Sequence, residues 1–368
     1  MPAECPEPDP ASFMRRALEL AERGRGRVEP NPMVGAVAVR DGRIVGEGYH
    51  GGFGGPHAEP HAIAAAGEAC KGATLYVTLE PCTHYGKTPP CVPAVIAAGF
   101  RRVVAAMIDP DPRTQGGGIV ALRTAGLEAE VGLLEAEARR LNAPFVKLTL
   151  TGLPYLTAKW AMSLDGKTAT RTGDSRWISC PESRERVHTV RGQVDAILVG
   201  IGTVLADDPL LTARPPGPRV AARVVADSAA RLPLGSRLVQ TAAEAPVIVA
   251  ATALAPPERR AALEAAGVEV LVLPAEEGRV SLQALLEELG RRRMTNVLLE
   301  GGGELCAAAL AGRLADKLMV FVAPTVIGGR EAPTPAEGLG VANLANALHA
   351  KDWAMRRVGR DALIEAWL

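Results

Sequence analysis

The sequence predicts an α/β fold in both halves of the chain, and three observations predict it. Short apolar runs of strand length alternate with helical periodicities from end to end. The 368 residues exceed one ordinary domain of about 100–200 residues. A break at Thr151-Gly152-Leu153-Pro154 separates two stretches that do not resemble each other. The expected division is 1–150 and 151–368.

A Pro- and Glu-rich tail comes first, and Asp9-Pro10 then opens a helix, with Asp as N-cap and Pro in the first turn. Phe13, Met14, Ala17, Leu18 and Ala21 recur at helical spacing, and Gly24 ends the run. Val34–Val39 reads as a strand, Asp41-Gly42 as a hairpin turn and Ile44–Tyr49 as the returning strand. The pattern continues with a helix over His57–Ala66, a strand at Thr74–Thr78, a helix at Val92–Ala98 and a strand at Arg102–Met107. A helix near Ile119–Thr124, a short strand near Glu130 and a last helix over Leu134–Leu141 complete the first half. In the second half, strands are expected at Tyr155–Ala161, Ala196–Val199 and Val220–Ala226, then at Val247–Ala250 and Val268–Leu273 around a helix at Pro257–Ala266. Val297–Glu300 is a strand that passes through Gly301-Gly302-Gly303 into a helix.

Composition removes several function classes. The apolar share of 48% supports a full core, and 41 basic residues balance 41 acidic ones. A nucleic-acid binder carries a basic surplus, so no nucleic-acid partner is expected. No apolar run approaches the roughly 18 residues of a spanning helix, so no membrane partner is expected either. The first ten residues lack the basic and apolar regions of a secretory signal, and the cytoplasm is the expected compartment. Six cysteines are too few for a disulfide scaffold.

The first chemical constellation is His57-Ala58-Glu59, Pro81-Cys82 and Cys91. One imidazole and two thiolates make a three-ligand zinc site. A structural zinc is normally closed by four ligands, whereas three leave a place for water. Bound zinc lowers the pKa of that water towards about 7, and Glu59 is a carboxylate able to take its proton. This is the H-x-E…P-C…C pattern of nucleobase deaminases, although eight residues rather than two separate the cysteines. The bland alternative is a structural cysteine pair with an unrelated histidine. His61, four residues after His57, reads as a packing residue ahead of a lining residue on the substrate side, because Ala58 stands where a metalloprotease helix needs Glu. Cys70 and Cys306 read as buried thiols, Cys5 lies in the tail, and Cys180 has no evident partner.

Asn31-Pro32-Met33-Val34-Gly35, His57-Ala58-Glu59 and Glu80-Pro81-Cys82-Thr83-His84-Tyr85-Gly86-Lys87-Thr88-Pro89-Pro90-Cys91 occur in that order. So do Lys159-Trp160-Ala161-Met162-Ser163-Leu164-Asp165-Gly166-Lys167, Gly173-Asp174-Ser175-Arg176-Trp177-Ile178, Val199 to Pro209, and Glu300-Gly301-Gly302-Gly303. Together they resemble the bifunctional deaminase/reductase family of riboflavin biosynthesis, in which the long gap between the cysteines is normal. The resemblance implies a cytidine-deaminase-like three-layer domain followed by a dihydrofolate-reductase-like domain. It implies two steps on a small pyrimidine nucleotide: zinc-dependent loss of the 2-amino group of 2,5-diamino-6-ribosylamino-4(3H)-pyrimidinone 5′-phosphate, then NADPH-dependent reduction of the ribosyl group to ribityl.

The same resemblance implies the site residues. His57, Cys82 and Cys91 would bind Zn2+, Glu59 would move protons, and Asn31 would contact the substrate ring. Ala161, Trp177, Thr203, Asp207, Ser228, Gly302 and Gly303 would line NADPH. Ser175, Arg191, Leu211, Arg214 and Glu300 would face the sugar phosphate, with Lys159 and Asp207 placed at the ribosyl group. A homo-oligomer, dimer or tetramer, is also implied. Without the resemblance the second half says less: a glycine run entering a helix suits a phosphate but is also an ordinary turn, and no Rossmann fingerprint is present. Pro60 and the loop Asp109–Gly118 depart from the family pattern. Two further readings compete, a nucleic-acid base deaminase with an appended binding domain and a non-catalytic zinc-stabilised binding module. Balanced charge and the long cysteine gap weigh against the first, and Glu59 with an open ligand position against the second.

Overall fold

The Asp9 side chain accepts a hydrogen bond from the N–H of Ala11 (3.0 Å) and starts the helix Pro10–Glu22, as its N-cap chemistry predicts. The helix buries the stripe Phe13, Met14, Ala17, Leu20 and Ala21. The computed structural model describes residues 9–368, so Cys5 and most of the expected tail lie outside the described residues. The chain divides into two units between Gly152 and Leu153.

The first unit carries a five-stranded sheet in the order Arg43–Tyr49, Gly35–Arg40, Thr74–Val77, Arg102–Ala105, Glu128–Val131. Asp41 (φ 50°) and Gly42 (φ 70°) make the left-handed pair that a tight hairpin needs. The first three strands are antiparallel neighbours, and the last three are parallel. Directly opposed residues share a face of the sheet. Gly35 opposes Tyr49 and Ala36 opposes Gly48, so Gly35 and Gly48 lie on opposite faces. A Cβ on Gly35 would stand 2.0 Å from the Ala17 carbonyl oxygen, and one on Gly48 would stand 2.3 Å from that of Ala58. The helices Pro10–Glu22 and Ala58–Ala66 therefore press on the two faces at backbone contact. This is the three-layer, cytidine-deaminase-like arrangement.

One expectation for this unit fails. Leu134–Leu141 is not its last helix: Glu135–Leu141 is followed by Ala143–Thr151. Asn142 at the junction is buried, and its side chain accepts from Met33 N–H (2.8 Å) and donates to Met33 C=O (2.9 Å). A pairing with a residue that distant leaves no periodic signal.

The second unit holds a nine-stranded sheet in the order Glu269–Val272, Val247–Ala251, Ala222–Ala226, Ala196–Gly200, Asn296–Glu300, Tyr155–Ser163, Lys317–Ala323, Asp361–Trp367, Asp352–Val358. Neighbours are parallel as far as Lys317–Ala323, and the last two strands are antiparallel. Both faces of the central strands are buried: Ile197, Val199, Val225 and Val249 pack on one side, and Leu198, Val224, Ile248 and Ala250 on the other. This is the dihydrofolate-reductase-like architecture. Its last three strands were not among those read from the sequence. Among the described residues no helix is long and apolar enough to cross a membrane.

Replacing Gly48 with Ala should force the helix Ala58–Ala66 outward and cost about 1–3 kcal/mol, read as a lower urea midpoint at unchanged slope. The control Gly51→Ala, where a Cβ meets only the Tyr49 ring at 3.8 Å, should leave the midpoint in place.

Candidate active sites

Three backbone elements deliver the candidate metal ligands. His57 is the N-cap of the helix Ala58–Ala66, Cys82 follows the strand Thr74–Val77, and Cys91 opens the helix Cys91–Ala97. Their ligand atoms all lie within 4.8 Å of one another. His57 Nδ1 is 3.6 Å from Cys82 Sγ and 3.3 Å from Cys91 Sγ. The N–H of Cys91 is free of any intrahelical partner at the first helical position, and it donates to Cys82 Sγ (3.4 Å). The Cys91 thiol also donates to Cys82, which draws the Cys82 thiol down to about 4 and holds Cys91 up.

The eight residues between the cysteines return to the site. Thr88 Oγ1 lies 3.4 Å from His57 Nε2 and can accept its proton, which leaves Nδ1 as the ligand nitrogen. Glu59, in the first turn of the same helix, is buried, and burial pushes its carboxyl up to about 7. Its Oε2 is buried without a hydrogen-bond partner. Pro60 fits the same first turn, where its missing N–H is not needed. Asn31 reaches the site through His50: Asn31 Nδ2 donates to His50 Nε2 (3.3 Å), and His50 Nδ1 donates to the Pro56 carbonyl (2.9 Å). The His50 ring stands edge-on to His57 with centroids 5.4 Å apart, and burial holds its pKa below the ordinary value.

Two residues of this unit were misread or missed. His61 is exposed, not packed, although its Cβ lies close to the strand at Gly48. Buried Glu80, quoted as part of a motif, was given no role. It accepts from the N–H groups of Asp109 (3.2 Å), Gly116 (2.8 Å) and Ile119 (3.0 Å), and so holds the loop that departs from the family pattern. Its place two residues before Cys82 was the available signal.

The second unit forms a cleft of about 2700 Å³. Every candidate cofactor, substrate or catalytic residue of the second half lines it: Lys159, Ala161, Ser175, Trp177, Arg191, Thr203, Asp207, Leu211, Arg214, Ser228, Glu300, Gly302 and Gly303. Glu300 ends its strand in register with Lys159. Arg191, at the end of the helix Pro181–Arg191, donates to both carboxylate oxygens of Glu300 (2.6 and 2.9 Å), and Lys159 Nζ stands 3.5 Å away. Burial alone would raise the Glu300 carboxyl, but the charges of Arg191 and Lys159 outweigh it and hold it at about 2. Arg214 is pulled below its ordinary value by burial and by the charges of Arg191 and Arg237. Such crowded cations suit an anion.

Gly301 (φ 78°) and Gly302 (φ 79°) turn the chain from strand to helix in a conformation other residues resist. A Cβ on Gly301 would stand 3.4 Å from Thr203 Oγ1, so Thr203 sits against the glycine segment. The helices Ile201–Asp207 and Gly303–Ala311 both begin there. Ser228 Oγ accepts from Val280 N–H (2.9 Å). Trp177 is exposed, with the Arg184 guanidinium 4.7 Å above its ring, so it is not core. Arg176, given no site role from the sequence, donates to the Asp207 carbonyl (3.0 Å) and pairs with its carboxylate (3.6 Å).

Comparison with known proteins bears on both units. Residues 8–107 match the cytidine and deoxycytidylate deaminase zinc-binding region, and residues 154–364 match the RibD C-terminal domain. The riboflavin biosynthesis protein RibD of Actinobacillus pleuropneumoniae is 42% identical over 353 residues, covering 96% of this chain and 94% of its own. That of Escherichia coli is 42% identical over 369 residues, covering 96% and 97%. The solved structure of Acinetobacter baumannii RibD superposes with a TM-score of 0.86 at 37% identity over 97% of this chain and 98% of its own. The Thermotoga maritima diaminohydroxyphosphoribosylaminopyrimidine deaminase/5-amino-6-(5-phosphoribosylamino)uracil reductase gives 0.84 at 36% identity with the same coverage.

The depressed Glu300 carboxyl contributes stability that is complete above a free glutamate's pKa of about 4.3. That contribution is lost as the pH falls towards about 2. Arg191→Met should therefore cost up to about 3–5 kcal/mol near neutral pH, because it removes the bidentate partner of a buried carboxylate that Lys159 alone then compensates. The gap to the parent should narrow in urea titrations run stepwise from pH 7 to 3.

Proposed function

Because this chain belongs to the RibD family of bifunctional deaminase/reductases of riboflavin biosynthesis, we propose that its two units divide the two reactions, deamination in the first and reduction in the second. The observation that carries the first assignment is the convergence of His57, Cys82 and Cys91 beside the unpartnered Oε2 of Glu59. One nitrogen and two sulfurs fit zinc, and three donors leave a ligand position over. Zinc held there supplies the Lewis acidity that makes water reactive near neutral pH. His57 Nδ1 and the two sulfurs hold the ion, and Thr88 fixes the imidazole tautomer. Glu59 Oε2 takes a proton from the attacking water as its oxygen bonds to C2 and passes that proton to the departing amino nitrogen; the C2–N bond breaks, ammonia leaves, and the remaining hydroxyl proton moves to the ring nitrogen as the carbonyl forms. The substrate is the diaminopyrimidine ribosyl phosphate for which the Thermotoga maritima relative is named. Asn31, oriented by His50, contacts its ring.

For the second unit, the glycine turn, two helix starts and Thr203 suit a dinucleotide pyrophosphate. Ala161, Trp177, Asp207 and Ser228 line the rest of an NADPH site, and the cofactor supplies hydride. Arg191 and Arg214 take the substrate phosphate, with Ser175 and Leu211 beside them and Glu300 holding Arg191 in place. Lys159 and Asp207 orient the ribosyl group, and Lys159 Nζ gives the proton that accompanies hydride. The enzyme works in the cytoplasm on small nucleotides, as a dimer or tetramer of this chain. Family membership leaves the nucleic-acid deaminase reading without support.

Glu59→Gln should retain zinc, measured by metal analysis, and lose ammonia release by about 10²–10⁴-fold, whereas Cys82→Ala should lose the metal. Full ammonia release by the Glu59 variant would remove the deaminase assignment. Arg214→Ala should raise KM for the deaminated phosphate substrate in an NADPH-oxidation assay by about 10-fold or more, the worth of one charge-assisted hydrogen bond.

A further inference from the structure

Asp165 and Lys167 belong to a motif that neither proposed reaction uses. Their side chains reach the segment between the strands Lys317–Ala323 and Asp352–Val358. That segment crosses residues 324–351 with one turn of 3₁₀-helix, Leu344–Asn346, as its only regular structure. Loops this long inside a compact unit are normally functional. Its own side chains cannot hold it in place: Ala332 alone is buried, and Leu339, Val341 and Leu344 are exposed.

Polar contacts hold it instead. Ser163 ends the strand Tyr155–Ser163 in register with Ala323, and Asp165 follows two residues on. The Asp165 carboxylate accepts from the N–H groups of Ile327 (3.0 Å) and Gly328 (2.7 Å) and from the Ser163 hydroxyl (2.6 Å). These bonds keep its carboxyl at about 2, so it stays ionised at any ordinary working pH. Lys167 Nζ donates to the Ala332 carbonyl (3.0 Å), and Thr168 N–H donates to that of Pro333 (3.0 Å). Further along, the segment bears on the glycine turn. Glu337 N–H donates to the Gly303 carbonyl (3.1 Å). A Cβ on Gly303 would stand 2.7 Å from the Thr334 carbonyl oxygen and 2.6 Å from Glu337 Cγ, so only glycine admits this approach. Thr334, Glu337, Leu339, Val341 and Leu348 line the same cleft.

We propose that Asp165 and Lys167 are positioning residues for cofactor binding: they pin residues 324–351 as a strap, and the strap fixes the turn Gly301–Gly303 and walls the cleft beside it. This role rests on the dinucleotide site proposed above for that turn. Neither residue lines the cleft, so each acts through the strap. Both contacts are charge-assisted, the stronger class of hydrogen bond. Without them the cofactor would have to order the strap as it binds, and such ordering weakens affinity.

The test combines calorimetric titration of NADPH into the full chain with trypsin cleavage after Arg330, which is exposed on the strap. Asp165→Asn and Lys167→Met should each raise the Kd for NADPH by about 10-fold, the loss of one charge-assisted hydrogen bond, and each should speed the cut after Arg330. Reductase kcat at saturating NADPH and ammonia release should stay at the parent's level, and Lys167→Arg should keep the parent's Kd. Where Asp165→Asn does not fold, Lys167→Met alone decides. An unchanged Kd overturns the positioning role, whether or not kcat falls with the folded fraction, and so does weaker binding without faster cleavage. Gly302→Ala separates this role from its premise. If that variant keeps the parent's Kd, the dinucleotide does not sit at the turn, and site and strap fall together. If it binds NADPH more weakly and neither pinning variant does, the strap's role alone falls.

Discussion

One imidazole and two sulfurs must converge within 4.8 Å, and the first unit is organised around that requirement. The ligands come from two helix starts and one strand exit, so the helices must sit at fixed heights on the sheet. Gly48 sets the height of one by letting its backbone touch the strand, and the same absence of a side chain at Gly35 seats the helix on the other face. The hydrogen bond from Cys91 N–H to Cys82 Sγ then ties the second helix start to the strand exit. Placing Glu59 follows at no further cost, because it rides in the first turn of the helix that His57 caps.

In the second unit the comparable constraint is electrostatic. Glu300 is a buried carboxylate gripped by two cations, and it fixes the geometry of both. Arg191 and Lys159 would otherwise be long, mobile side chains at the floor of a wide cleft. Arg214 stands near Arg191 and Arg237, whose charges together with its own burial pull it below its ordinary value, and an anion bound there would relieve that crowding.

Much of both sites was legible in the sequence, because ligand chemistry and turn chemistry are local. His57, Glu59, Cys82 and Cys91 follow from spacing and residue type, Asp9 from capping and Asp41-Gly42 from the turn it must make. The cleft residues were legible only through their order along the chain, since Thr203 and Gly301 meet across strands that are neighbours in space alone. What was illegible depends on distant pairing or on environment. Glu80 shows its role only where three N–H groups converge on it, and His61 differs from a buried histidine only in how far the finished fold covers its ring. The edge strand Asp352–Val358 has charges at three of seven positions and almost no alternation of burial, so no period betrays it.

The clasp between Asn142 and Met33 closes a ring of 109 residues. During synthesis Met33 gains this clasp only after residue 142 has left the ribosome, and by then the rest of the first sheet is already available. The reductase sheet obeys a later clock: its central strand Tyr155–Ser163 waits for Asn296–Glu300 and Lys317–Ala323 on its two sides. Domains fold as units, N-terminal first. The nascent chain therefore finishes its hydrolytic half long before its redox half can assemble, in the same temporal order as the two proposed reactions.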